Sequence, residues 1–293
     1  GCGDYAILSQ VQKVFPQLGV PKEKFLVVSG IGCSSRFPYY MDSFGFHSIH
    51  GRAPALATGA KIANPDLSVW IVTGDGDSMS IGGNHFIHVL RRNFDLNILL
   101  FNNQVYGLTK GQYSPTSEIG RISNSTPFGS VDYPFNPPLL ALGAGGTFIA
   151  RSIDREQKHL QDILHKAYKH KGTSLVEVYQ NCWVFNDGAF ASLTDREIKM
   201  ETQLVLEHKK PMVFGKNQDK GLTLKGSKLE VITLNKKNSI NEVMIHDEKN
   251  KIQGLLLSEL TYDKNFPTPI GVIYREEKPT YENMLYNQLD KET

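Results

Sequence analysis

The sequence has only three cysteines in 293 residues: Cys2, Cys33 and Cys182. That number cannot close a disulfide framework, so packing must hold the fold together. It has no apolar run long enough to span a bilayer, and no signal peptide at its start. It has almost no charge excess: 32 Lys and Arg against 30 Asp and Glu leave +2. That balance excludes the basic footprint of a nucleic-acid binder or an anionic-membrane binder. Internal repeats and low-complexity tracts are missing too. Position 1 is Gly, not Met, so the natural start is expected upstream. What remains is 40% hydrophobic, enough core for one large or two small domains. The expected setting is the cytoplasm.

Short apolar runs alternate with amphipathic stretches from about residue 5 to 200. Phe25–Val28, Val69–Val72, Asn97–Phe101, Thr147–Ala150 and Leu175–Val178 read as strands. Ala53–Ala63, Asn84–Arg92, a segment starting at Leu139, and Glu156–Lys171 read as helices. Continuous apolar strands between helices predict an α/β fold, a parallel sheet with helices on both faces. From about Met200 the apolar periodicity fades and lysine rises. Short β pieces (Leu222–Leu224, Leu229–Ile232) and a proline-punctuated tail ending in a helix at Tyr281–Leu289 follow. The expected division is a main domain over 1–199 and an extension over 200–293, packed on that domain or on a neighbouring subunit.

In an open parallel sheet, ligands bind beyond the carboxyl ends of the strands. Three strand ends carry polar, glycine-rich loops: Gly30–Arg36, Gly74–Asp77 and Asn102–Thr109. Asp75 lies between two glycines, where backbone can approach a ligand closely. Asn103 follows 28 residues later at the next strand end, and the Val105 carbonyl is two residues further on. A carboxylate, an amide oxygen and a carbonyl suit Mg²⁺, which shares its octahedron with phosphate oxygens. The amides of Gly74 and Gly76 and the Thr109 hydroxyl are candidate diphosphate contacts, and Gly82-Gly83 before a helix adds N–H donors. Gly-Asp-Gly alone is a common turn; its spacing to Asn102-Asn103 makes the signal specific. The cysteines are open to two readings. Free Cys is commonly a small core residue, yet each one here lies in a polar or glycine-rich stretch.

Gly74-Asp75-Gly76 through Asn102-Asn103 resembles the thiamine diphosphate motif. Further strings narrow the resemblance: Gly74–Asp77, Ile81–His85, Val105–Gln112, Gly1–Asp4, Gly30–Ser35, His50–Ala53, Pro269–Val272 and Lys278–Tyr281. Together they look like the β subunits of 2-oxoacid:ferredoxin oxidoreductases, over nearly the whole chain and most weakly from about 205 to 265. The resemblance implies a pyrophosphate-type domain holding thiamine diphosphate and Mg²⁺, with Asp75, Asn103 and Val105 on the metal. Gly74, Gly76, Asp77, Gly107, Leu108 and Thr109 would lie around the cofactor. It implies a [4Fe–4S] cluster on Cys2, Cys33 and Cys182, the fourth ligand lying two residues before Gly1. A structural zinc is the competing reading of such a quartet.

The resemblance also puts Arg36 against the 2-oxoacid carboxylate and Leu108 in the substrate pocket. His47 and His50 flank the crevice, and each is as readily a structural group as a catalytic one. Lys110 and Arg121 could supply charge for a substrate tail. The strings Gly32–Arg36 and Asn181–Gly188 look most like the 2-oxoglutarate branch. The implied reaction oxidises 2-oxoglutarate with coenzyme A to succinyl-CoA and CO₂, passing electrons to ferredoxin. The carboxylate that activates the cofactor ring would come from an α subunit, in an (αβ)₂ or larger assembly. The alternative within the family is a pyruvate or broad-range 2-oxoacid:ferredoxin oxidoreductase. Two rivals lie outside it: a non-redox thiamine enzyme, and an electron-transfer subunit without diphosphate.

Overall fold

A computed structural model describes residues 1–235 and 239–291. Residues 236–238 and 292–293, inside the expected extension, lie outside it. The strands are β1 (Phe25–Ser29), β2 (Phe44–His47), β3 (Ser68–Gly74), β4 (Leu96–Asn102), β5 (Phe148–Ile153), β6 (Thr173–Tyr179), β7 (Gln203–Leu206), β8 (Val213–Phe214), β9 (Lys220–Lys225), β10 (Lys228–Thr233) and β11 (Thr268–Arg275). The helices are α1 (Gly3–Val14), α2 (Ala53–Ala63), α3 (Asp75–Met79), α4 (Gly83–Arg92), α5 (Pro137–Gly143), α6 (Gln157–Lys169), the single turns α7 (Ala191–Thr194) and α8 (Lys199–Thr202), then α9 (Lys251–Glu259) and α10 (Tyr281–Leu289).

An eight-stranded sheet runs β2-β1-β3-β4-β6-β5-β11-β7, with β10-β9-β8 in a separate antiparallel sheet. Side chains alternate across the pleat, so the main sheet feeds two cores. Val69 and Ile71 of β3 join Ile98 and Leu100 of β4 on the face under α2, α4, α5 and α9. Trp70 and Val72 join Leu99 and Phe101 on the face under α1 and α6. There Phe15 stacks on Phe25 at 4.3 Å and leans on Trp70 at 5.0 Å. Strands buried on both faces read as continuous apolar runs, which is why β3, β4 and β6 stand out in the sequence.

The expected parallel sheet of the main domain is present, since β2, β1, β3, β4, β6 and β5 all pair in parallel. The extension adds to it, with β11 antiparallel to β5 and parallel to β7. The proline-punctuated tail therefore contributes a strand of the main sheet, and the extension packs on the domain by joining it. Pro269 is tolerated there because the ladder to β5 begins at Gly271. The Gly74–Asp77 segment is not a loop alone, since Asp75 opens the short helix α3.

Among the described residues, no helix is long and apolar enough to cross a membrane.

Candidate functional site

Strands β1, β3, β4 and β6 are neighbours and all parallel. Their carboxyl ends must therefore deliver the segments after Ser29, Gly74, Asn102 and Tyr179 to one edge of the sheet. A cavity there is lined by Gly32, Cys33, His50, Gly74, Asp75, Gly76, Asp77, Asn103, Val105, Gly107, Leu108 and Thr109, among others. Gly74 to Asp77, Asn103, Val105 and Gly107 to Thr109, all expected around the cofactor, are in that lining, whereas Gly82 and Gly83 are not. A larger cavity of about 900 Å³ adjoins it through His50, Tyr106 and Thr109, and is walled by Tyr113, Tyr133 and Phe135.

Asp75 is 2% exposed. Its Oδ2 accepts hydrogen bonds from Ser114 Oγ and, at 2.6 Å, from Thr116 Oγ1. Burial pushes its carboxyl above the ordinary carboxylate range, opposed by these hydroxyls and by the Asn103 and Gly76 amides. Among the described residues no Lys, Arg or His pairs with it. A buried carboxylate held only by neutral donors is costly unless a cation arrives. Asp77, two residues on, is different. Its carboxylate accepts from Ile31 N (3.1 Å), Gly51 N (2.9 Å) and Thr73 Oγ1 (2.9 Å), and it pairs with His50 Nδ1 at 2.7 Å. Asp77 is thereby occupied in tying the loops together. It leaves Nε2 as the free ring nitrogen of His50, which lines both cavities.

The second loop is equally constrained. Asn103 Oδ1 accepts from Val105 N at 3.2 Å, and its Nδ2 donates to Gln180 Oε1 at 2.8 Å. Asn102 links Thr116 Oγ1 (2.9 Å) to Glu177 (2.8 Å), whose other oxygen pairs with Arg151 Nε at 2.7 Å. The Tyr106 ring covers Gly76 closely enough that a Cβ there would strike it, and its hydroxyl donates to Gly76 O at 3.1 Å. Thr109 Oγ1 donates to Gln112 at 2.5 Å.

The cysteines come from three elements. Cys2 caps α1, Cys33 precedes the 3₁₀ turn Ser34–Tyr40, and Cys182 follows β6. A Cβ on Gly107 would stand 3.6 Å from both Cys33 Sγ and Cys182 Sγ. Burial pushes the Cys2 thiol up to about 12 and the Cys33 thiol upward, with Asp4 and Cys182 adding to both. Such thiols stay protonated until a metal displaces the proton. Among the described residues, no three His, Cys, Asp or Glu side chains gather tightly enough to hold one metal ion.

Arg36 is exposed one turn beyond Cys33, with its amide on the Cys33 carbonyl at 3.3 Å. Its charge eases ionisation of that thiol. Leu108 is 59% exposed at the cavity mouth. Arg121 does not reach into either cavity; it binds the Cys182 loop. Sequence reasoning missed Ser114, Thr116 and Ser117, whose hydroxyls hold Asp75 and the Gln104 carbonyl. A Ser-Pro-Thr-Ser run shortly after the asparagine pair is the signal that could have found them.

Comparison with known proteins follows the same lines. Residues 30–178 match the family model for the C-terminal TPP-binding domain of thiamine pyrophosphate enzymes. The chain is 48% identical over 99% of its length to a protein of Mycobacterium tuberculosis named 2-oxoglutarate oxidoreductase subunit KorB, covering 78% of that protein. It is 46% identical over 69% of its length to subunit beta of 2-oxoacid:ferredoxin oxidoreductase 1 of Aeropyrum pernix, spanning 64% of that relative. A solved structure of the 2-oxoglutarate:ferredoxin oxidoreductase of Magnetococcus marinus, with 2-oxoglutarate, coenzyme A and succinyl-CoA bound, superposes with a TM-score of 0.80 at 31% identity. That likeness covers 99% of this chain and 85% of the other.

Proposed function

The chain belongs to the thiamine-diphosphate-binding β subunits of the 2-oxoacid:ferredoxin oxidoreductases, and from that premise we propose that it serves the reversible oxidation of 2-oxoglutarate. In balanced form, 2-oxoglutarate, coenzyme A and two oxidised ferredoxins give succinyl-CoA, CO₂, two reduced ferredoxins and a proton. The observation that carries the reading is Asp75, a buried carboxylate held by hydroxyls and amides with no cationic partner among the described residues.

The residues fit Mg²⁺ and a diphosphate. Asp75, the Asn103 carboxamide and the Val105 carbonyl are the protein oxygens for the cation. The Gly74, Gly76 and Gly107 amides and the Thr109 hydroxyl serve the phosphate oxygens. Bound thiamine diphosphate supplies the carbanion chemistry of decarboxylation, and the chain supplies placement. Arg36 meets the carboxylate of the 2-oxoacid, Leu108 borders its pocket, and His50, held by Asp77, presents Nε2. Cys2, Cys33 and Cys182 would hold the cluster. Proximity to a redox-capable cofactor favours iron–sulfur over zinc. The α subunit provides the activating Glu, in an (αβ)₂ or larger assembly in the cytoplasm that reduces ferredoxin.

The test is coenzyme-A-dependent reduction of a viologen dye by the anaerobic two-subunit complex. 2-Oxoglutarate should give the highest kcat/KM against pyruvate and branched-chain 2-oxoacids. A preference for pyruvate of about tenfold, worth about 1.4 kcal/mol of transition-state binding, would overturn the substrate and leave the family intact.

A further inference from the structure

Resting on that reading, the Cys182 loop carries a second message. Residues 181–188 form a closed turn. Asn186 N donates to Cys182 O at 2.8 Å, Asn181 Nδ2 to Asp187 at 2.8 Å, and Gly188 N to Asn181 Oδ1 at 3.0 Å. The turn is gripped from outside by Arg121, 64 and 65 residues away in sequence from the two residues it binds. Arg121 Nη1 donates to Asn186 Oδ1 at 2.5 Å and Nη2 to Phe185 O at 2.7 Å. The same Asn186 donates through Nδ2 to Asn103 O at 2.8 Å. One amide thus joins the guanidinium, the cysteine turn and the loop that offers the candidate cation ligands. Among the described residues Arg121 Nε is buried without a partner, and Cys182 lies near enough to counter the loss of basicity that burial imposes on the guanidinium.

A guanidinium with both Nη atoms committed and its buried Nε unpaired, beside a cysteine turn, is an expensive arrangement for a structural strut. We infer that Arg121 is a positioning residue for electron transfer: it clamps the Cys182 turn to the cofactor loop and places a fixed positive charge beside the cluster. Positive charge stabilises the more negative, reduced cluster and raises its potential. The two-donor clamp holds the turn against Asn103, so the cluster keeps its distance from the cofactor.

The test uses the anaerobically purified two-subunit complex with Arg121→Met, Arg121→Lys and Asn186→Ala. Reduced cluster is quantified by electron paramagnetic resonance at the wild-type midpoint potential. Thiamine diphosphate affinity is measured in the same preparations. For Arg121→Met the reduced-to-oxidised ratio should fall by about tenfold, and Arg121→Lys, which keeps the charge, should recover most of it. Both should keep cofactor affinity within about twofold, whereas Asn186→Ala should weaken it by more, because its bond to Asn103 is lost. If Arg121→Met sheds its iron, recovery of iron in Arg121→Lys supports the clamp, and equal loss in both variants refutes it. A ratio in Arg121→Met within about twofold of wild type also refutes it. A wild-type complex without iron would instead overturn the reading on which the inference rests.

Discussion

The carboxyl edge of the main sheet and the β8–β10 sheet bury opposite kinds of side chain. At the edge, Asp75, Asp77, Asn102, Ser114, Thr116 and Ser117 are each 3% exposed or less. In β8–β10 and its lead-in, the buried side chains are Met212, Phe214, Leu222 and Ile232, while Lys220, Thr223, Lys225, Lys228, Glu230 and Thr233 reach solvent. The small sheet follows the ordinary rule for a one-sided antiparallel sheet, and its ion pairs, Lys220–Glu201 and Lys225–Glu230, are exposed and worth little. The edge breaks that rule six times within two segments, one after β3 and one at the end of and beyond β4, and each breach is repaired by hydrogen bonds. Buried polar groups that must be repaired one by one mark the place where chemistry, rather than stability, shaped the sequence.

The comparison can be broken most forcefully at Arg151. It is fully buried against Glu177, and it reaches the C-terminal region through Thr261 Oγ1 at 2.9 Å. Arg151→Met leaves Glu177 as a buried charge without its partner and should cost about 3–5 kcal/mol in denaturant unfolding. A cost near that of a surface substitution would mean that the edge network stabilises nothing.

Acid should act next most strongly, and far from the edge. Burial lowers the His170 pKa to about 4, and lowers those of His159 and His246 as well. A folded pKa below the unfolded value means that folding favours the neutral ring. The contribution of His170 is therefore complete above about pH 6.5 and is lost as pH falls toward 4, about 3 kcal/mol in all. Urea midpoints measured across that window should fall with pH, and His170→Gln should flatten part of the slope.

Thr116→Val sharpens the edge itself. It removes one of the two hydroxyls on Asp75 Oδ2 and the link to Asn102. Thiamine diphosphate affinity should drop by about tenfold, and stability by about 1–2 kcal/mol, by titration and denaturation respectively. At the other extreme, Leu224→Thr on the half-exposed face of β9 should change stability by less than about 0.5 kcal/mol and cofactor affinity not at all.

Much of this was legible in the chain. Helix α2 and helix α10 fall where the pattern puts them, because Ala-rich periodicity and Lys278-Pro279-Thr280 define their ends. The Gly-Asp-Gly to Asn-Asn spacing reads directly because α4 and β4, with the short turn α3 ahead of them, must fit between adjacent parallel strand ends. Other parts were not legible, for physical reasons. Strand β2 is an exposed edge, with Phe44 and Phe46 more than half open, so no burial pattern marks it. Strand β11 hides behind Pro269 and Gly271 and an irregularity between Val272 and Tyr274. Helix α1 has a stripe, Ile7, Val11 and Val14, too short to stand out beside Gln10 and Gln12. Asp75 and Asp77 look alike in sequence. Only the backbone amides of Ile31 and Gly51, brought in from other loops, separate a structural tie from an open ligand.

On the proposed function, two half-sites, one for the diphosphate cofactor and one for the cluster, share this edge and can be emptied separately. The direct test is to assay thiamine diphosphate, magnesium, iron and acid-labile sulfide in anaerobically purified complex. Wild type, Asp75→Ala and Cys182→Ser are compared side by side. Wild type should hold all four. Asp75→Ala should lose thiamine diphosphate and magnesium while keeping iron and sulfide, and Cys182→Ser should do the reverse. Retention of thiamine diphosphate by Asp75→Ala, or a colourless wild type without iron, would contradict the account.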